Sequence, residues 1–222
     1  MFESLRRWMG RSRGAADGSR WVVMDAESSG LDPERDRLLS IAAVAVHVRG
    51  TQLHIVPADS FEMQLQQPAP GTAPGTAPDK VNILVHGIGV GAQKAGVAPT
   101  AALQAFTAYA DGAPIVGYHV SFDRRLLERA ERAQGLPAQR RQWLDLADLA
   151  PVLRRDVAGK ALDHWLQAYG IRCLARHQAA ADALATAELL SCLWPLALKE
   201  TGGRADIDAL QRVAAARRWL GA

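Results

Sequence analysis

The sequence predicts an α/β fold, a mixed β-sheet whose first three strands form an antiparallel meander, with α-helices flanking both faces. Three observations predict it. The run Trp21 to Asp25 has the unbroken hydrophobicity of a strand covered on both sides. The stretch after it reads as strands joined by tight turns, with Arg49-Gly50 supplying one of them. From Ile115 onward, short apolar runs alternate with segments of helical spacing.

Residues 1–20 form a basic N-terminal appendage, with a short helix expected from Phe2 to Met9. Leu38 to Val48 is the second strand, and Gln52 to Val56 and Phe61 to Leu65 complete the meander. Pro68 to Pro78, PAPGTAPGTAP, repeats Pro-Gly-Thr-Ala and reads as an exposed loop (68–78) inside the domain. A helix follows from Thr100 to Ala110, with Thr100 as its cap. Ile115 to Tyr118 is a strand, and Ser121 to Gln134 a helix closed by Gly135 and Pro137. A strand from Trp143 to Leu146 precedes a helix from Ala161 to Tyr169, with Asp145 and Asp148 placed to cap a helix rather than to serve a site. The last strongly patterned helix covers Ala179 to Lys199, and Pro195 should kink or end it. One domain therefore spans residues 21–200. Residues 201–222 add a C-terminal helix, Ile207 to Leu220, packed on that domain or extending it.

With 222 residues, the chain has enough length for one α/β core and too little for two. Eighteen consecutive apolar residues occur nowhere, so no membrane span is expected. The first twenty residues lack the apolar segment of an export signal, which favours a cytoplasmic location. Cys173 and Cys192 stand apart with no zinc or disulfide spacing. A formal charge of +3 is compatible with a nucleic-acid partner without requiring one.

The chemistry rests on four acidic residues in apolar surroundings. Asp25 ends a hydrophobic strand, and Glu27, two residues on, shares its side of an extended backbone. Asp123 shares a helical stripe with Leu126, Leu127 and Ala130, and Asp182 shares one with Ala185, Leu189, Leu193 and Leu196. Burying a single unpaired carboxylate costs several kcal/mol, and four together would also repel one another. No lysine or arginine in these short motifs is placed to neutralise all four. Two divalent cations would do so, and an all-oxygen donor set selects Mg²⁺ or Mn²⁺ over zinc. Such a pair, about 4 Å apart, activates water and stabilises the leaving oxygen of a phosphodiester. His177, five residues before Asp182, has the residue type of a general base at neutral pH.

These segments resemble the motifs of the DnaQ-like exonucleases. VVMDAESSGLDP is similar to the family's first motif, DxETTGLDP, and Gly117 to Asp123 (GYHVSFD) resembles the second, His-Asn-x-x-Phe-Asp. HQAAADALATAELL resembles the third, and Val85-His86-Gly87-Ile88 is similar to a family Val-His-Gly-Ile segment. The likeness runs from about Trp21 to Leu193. It implies an RNase H-like fold and a 3′→5′ exonuclease of the DEDDh branch, acting on single-stranded DNA or RNA and releasing nucleoside 5′-monophosphates. It also implies Asp25, Glu27, Asp123 and Asp182 as metal ligands, His177 as base, and substrate contacts around Met24, Ala26, Ser28, Leu31, His86 and Phe122. Ser28-Ser29 stands in place of Thr-Thr, and Tyr118-His119 in place of His-Asn.

Taken singly, each residue has a plainer reading. Asp25 and Glu27 could open a turn, Asp123 and Asp182 could complement helix dipoles, and His177 could be a loop histidine. Their joint occurrence favours catalysis. A non-catalytic nucleic-acid-binding module on the same fold is the alternative, as is a proofreading subunit partnered by a DNA polymerase rather than a stand-alone repair or RNA-trimming enzyme. His47, His119 and His164 read as structural or exposed, and Trp143, Trp165 and Trp194 as core aromatics. Arg124, Arg125, Arg129 and Arg132 read as a solvated helix face paired with Glu128 and Glu131.

Overall fold

A computed structural model describes residues 19–68 and 80–219. The expected helix from Phe2 to Met9, nearly all of the 68–78 loop and Leu220 lie outside the described residues. Five strands form one sheet in the order β3-β2-β1-β4-β5. They are β1 (Ser19–Ser28), β2 (Leu38–Arg49), β3 (Gln52–Gln64), β4 (Ile115–Gly117) and β5 (Trp143–Asp145). β1 to β3 pair antiparallel, and β4 and β5 join parallel on the other side of β1. The mixed sheet with its leading meander is thus as expected.

β1 is longer than its apolar run. It continues through Asp25, opposite Ala42, and Glu27, opposite Ser40, before the register shifts at Ser28. β3 is one strand rather than two. Its pairing jumps from Val44–Ser60 to Ala45–Val56, so Pro57, Ala58 and Asp59 bulge out. An edge strand tolerates this, because proline has no N–H to give to a ladder.

Alternation along β1 and β2 feeds two cores. Val22, Met24, Ile41 and Ala43 face one, closed by α3 (Pro99–Ala110) through Leu103, Phe106 and Tyr109, and by Leu127 of α4 (Val120–Ala133). Trp21, Val23, Val44 and Val46 face the other, under α5 (Leu146–Leu153), α6 (Leu162–Tyr169), α7 (Ala179–Glu200) and α8 (Ile207–Ala215). Helices therefore cover both faces. Trp165 and Trp194 are core residues, with Trp194 edge-on to Trp21 at 5.6 Å, and Trp143 is partly buried.

Three helices have no counterpart in the sequence reading: α1 (Lys80–His86), α2 (Val90–Ala95) and α5. Each has eight residues or fewer, and α5 contains Pro151, so none offers two turns of clear periodicity. Thr100 is not a cap: Ala98 holds that position with Pro99 following, and the Thr100 hydroxyl donates to Gln134. Asp145 does cap α5, accepting from the Ala147 N–H. Pro195 lies within α7 without ending it. α7 is long and apolar enough to cross a membrane, but its apolar side packs inside the domain through Ala185, Leu189, Leu190 and Leu193. α8 gives way to a 3-10 turn at Ala216, earlier than the expected helix end.

Candidate active site

The site lies where β1 runs out of its core. Because side chains alternate, Asp25 and Glu27 continue the face that carries Trp21 and Val23, beyond the last apolar residue. α7 packs across that face and brings Asp182 from its first turn. Carboxylate oxygens of Asp25, Glu27 and Asp182 lie within 4.8 Å of one another. Asp123, buried in the first turn of α4, is outside that trio but close enough for its charge to act on both Asp25 and Glu27.

Such crowding disfavours ionisation. Burial, then Asp123, Glu27 and Asp182, hold the Asp25 carboxyl well above the ordinary range. Burial, then Asp182 and Asp123, push Glu27 up to about 8. Asp123 rises to about 7, chiefly through burial, against the pull of backbone N–H groups at Asp123 and Ala26. A site that pushes carboxyls to neutral pH has an excess of negative potential, which a multivalent cation would relieve. The donor set, oxygen throughout, fits a hard divalent ion.

A cavity of about 410 Å³ opens over these groups. Ala26, Ser28, Leu31, His86, Phe122 and His177, all named as candidate site residues from the sequence, line it. Met24 does not. Its side chain is 1% exposed and packs with Val22 in the opposite core, since the alternation that turns Asp25 outward turns Met24 inward. His86 is buried and accepts the Ile88 N–H at Nδ1, and desolvation lowers its pKa.

His177 precedes α7 in a left-handed conformation, φ 62°, which few non-glycine residues adopt. Its N–H donates to Asp182 Oδ2 at 2.9 Å, so the turn is wrapped around the carboxylate beside which the imidazole stands exposed. The loop after β1 is clasped in the same way. Asp36 accepts from the Ser29 hydroxyl (2.9 Å) and the Asp32 N–H (2.8 Å), and the Ser28 hydroxyl donates to the Gly30 carbonyl.

Two features escaped the sequence reading. Arg176 donates to Asp182 Oδ1 and, through Nε, to Asp163 Oδ1 at 2.5 Å, so the arginine just before the third motif offsets part of the negative charge. Its neighbour His177 was the only available signal. Tyr118 and His119 also line the cavity, edge-on to each other at 4.9 Å, with the Tyr118 hydroxyl donating to the Lys160 carbonyl. His119, expected to be structural or exposed, is exposed and borders the site. On α4 Glu128 pairs with Arg124 as expected, whereas Glu131 is buried against Arg141 instead of facing solvent.

Residues 22–190 match the RNase_T family, described as exonuclease. A DNA polymerase III subunit epsilon-like protein of Rhodobacter capsulatus is 33% identical over 84% of the chain and 25% of its own length. A PolC-type DNA polymerase III of Lacticaseibacillus paracasei is 27% identical over 83% of the chain and 12% of its own length. The chain thus spans a quarter or less of these curated relatives. Among solved structures, E. coli exonuclease I in complex with a dT13 oligonucleotide superposes with a TM-score of 0.67 at 20% identity, over 87% of this chain and 46% of that one. A zinc-bound form of E. coli exonuclease I with single-stranded DNA gives 0.65, over 82% and 43%. The shared fold is RNase H-like, as the sequence motifs implied.

Proposed function

This chain belongs to the exonuclease family, and on that premise we propose that it removes nucleotides from the 3′ end of single-stranded DNA or RNA, releasing nucleoside 5′-monophosphates. The observation that carries this reading is the meeting of Asp25, Glu27 and Asp182 within 4.8 Å beneath an open cavity, with Asp123 beside them.

These four carboxylates would hold two Mg²⁺ or Mn²⁺ ions. When bound, the ions supply charge stabilisation at the phosphodiester and lower the pKa of the attacking water. The rest falls to side chains of the chain itself. His177, exposed at the cavity and tied by its N–H to Asp182, accepts the proton of that water at its imidazole. Leu31, 90% exposed at the tip of the clasped loop, and Val85 offer apolar surface to the terminal base. Ser28 and His86 border the same space with polar groups. Covalent chemistry is unnecessary, since positioning and a polarised water suffice. The single-stranded DNA held by exonuclease I supports the strand assignment. The names of the curated relatives support a polymerase as partner.

The test is a digest of 5′-labelled and 3′-labelled oligonucleotides, DNA and RNA in parallel, with Mg²⁺, Mn²⁺ or EDTA. Expected are stepwise shortening of the 5′-labelled strand, immediate loss of label from the 3′-labelled one, and no reaction in EDTA. Internal cuts, or activity that survives chelation, would contradict the proposal.

A further inference from the structure

Arg176 is the only lysine or arginine among the described residues that line the cavity. Everything else charged there is a carboxylate or a histidine, while a nucleic-acid strand entering it carries one negative charge per phosphate. Its guanidinium spans from the cavity wall to the carboxylate cluster. The outer edge is held by Asp163, a half-exposed first-turn residue of α6, with Nε to Oδ1 at 2.5 Å and a terminal nitrogen to Oδ2 at 3.4 Å. The inner nitrogen meets Asp182 Oδ1, which also accepts the Cys173 thiol at 3.3 Å.

The two ends are therefore unequal. Asp163 has no other assigned task and keeps the side chain extended along the wall. Asp182 belongs to the group that would hold cations, and a divalent ion bound there would repel the guanidinium and weaken its bond to Oδ1. The inner nitrogen then has another anion to seek, and the edge it shares with the second terminal nitrogen can turn to it. A planar guanidinium matches a phosphate with two parallel hydrogen bonds, which an ammonium cannot do.

Resting on the exonuclease reading, we propose that Arg176, tethered by Asp163, grips a backbone phosphate of the bound strand. The residue is thus a substrate-binding group of the cavity, and its bond to Asp182 is the one it exchanges for that phosphate.

The experiment measures equilibrium binding of a fluorescent ten-nucleotide dT strand to the full chain. Ca²⁺ replaces the catalytic ions, the strand is checked for integrity, and the KCl concentration is varied. For R176Q the expected result is binding about tenfold weaker, the scale of one charge-assisted hydrogen bond. The slope of log Kd against log salt should also flatten by about 0.7, one phosphate contact on a single strand. R176K keeps the charge, so its slope should match wild type while its affinity falls. D163N should weaken binding and leave the slope unchanged. An R176Q protein with altered melting temperature but wild-type affinity and slope would show a purely structural role and overturn the proposal. If R176Q does not fold, an R176K protein that binds as tightly as wild type overturns it equally. Failure of the wild-type chain to bind any strand would sink the exonuclease reading as well, so the two failures are distinguishable.

Discussion

At the scale of the residue, His177 and Glu27 give the sharpest expectations. The His177 N–H donates to Asp182, while its imidazole stands exposed at the cavity. His177→Ala should therefore lower kcat by about 10²- to 10⁴-fold, the range of general base catalysis, with Mn²⁺ affinity by calorimetry unchanged. A loss of only a fewfold would remove the histidine from the chemistry. Glu27 is raised from 4.5 to about 8, first by burial and then by Asp182 and Asp123. A carboxyl whose folded pKa exceeds its unfolded one binds its proton more tightly when folded. Its contribution to stability is complete below about pH 4.5 and is lost as pH rises through about 8. Thermal unfolding in EDTA should show the melting temperature falling across that window. Glu27→Gln should flatten the fall, and equal slopes in the two proteins would refute the assignment. Asp25 and Asp182 were legible because an acid in an apolar stripe is costly. Arg176 was not, since it lies in the loop before α7, its partner Asp163 lies on α6, and nothing local announces the bridge.

At the scale of the element, the loop after β1 and the α4 helix carry the predictions. A Cβ at Gly30 would stand 2.4–2.6 Å from the Asp36 carboxylate that ties Ser29 and Asp32 together. Gly30→Ala should open this clasp and displace Leu31, raising KM severalfold with a much smaller change in melting temperature. Steady-state kinetics beside thermal unfolding will separate the two. Glu131 on α4 makes a two-pronged pair with Arg141, 2.6 and 2.9 Å, both side chains about 5% exposed or less. Removing one partner strands a buried charge, so Glu131→Ala should cost about 3–5 kcal/mol by urea unfolding. Periodicity alone made Glu131 a surface residue. It lies near the end of its helix, where Arg141 from the following loop folds back over it, a contact no local pattern encodes. Likewise β1 was read as ending at Asp25, because hydrophobicity stops there, whereas the backbone pairing with β2 continues to Glu27 and beyond.

At the scale of the whole molecule, the sheet order follows from connection rules. The two-residue turn at Gly50-Thr51, one residue on from the turn expected at Arg49-Gly50, makes β2 and β3 antiparallel neighbours, and helical crossovers make β4 and β5 parallel. The sequence located the strands, though it divided β3 in two, and showed that helices would cover both faces. It did not show that β1 sits at the centre, antiparallel to one neighbour and parallel to the other. That placement is tertiary, yet it decides which carboxylates converge. β1 is paired on both edges at Val22 and Val23, and Asp25 and Glu27 project just past that stretch, still paired with β2, while Asp182 arrives on a helix packed across β1 and β2.

Asp25 and Glu27 are translated early, and their partner Asp182 follows more than a hundred residues later. A polypeptide emerging from the ribosome thus displays half of the acidic constellation long before the remainder has been made. The acidic cluster is therefore complete only once α7 has docked against β1.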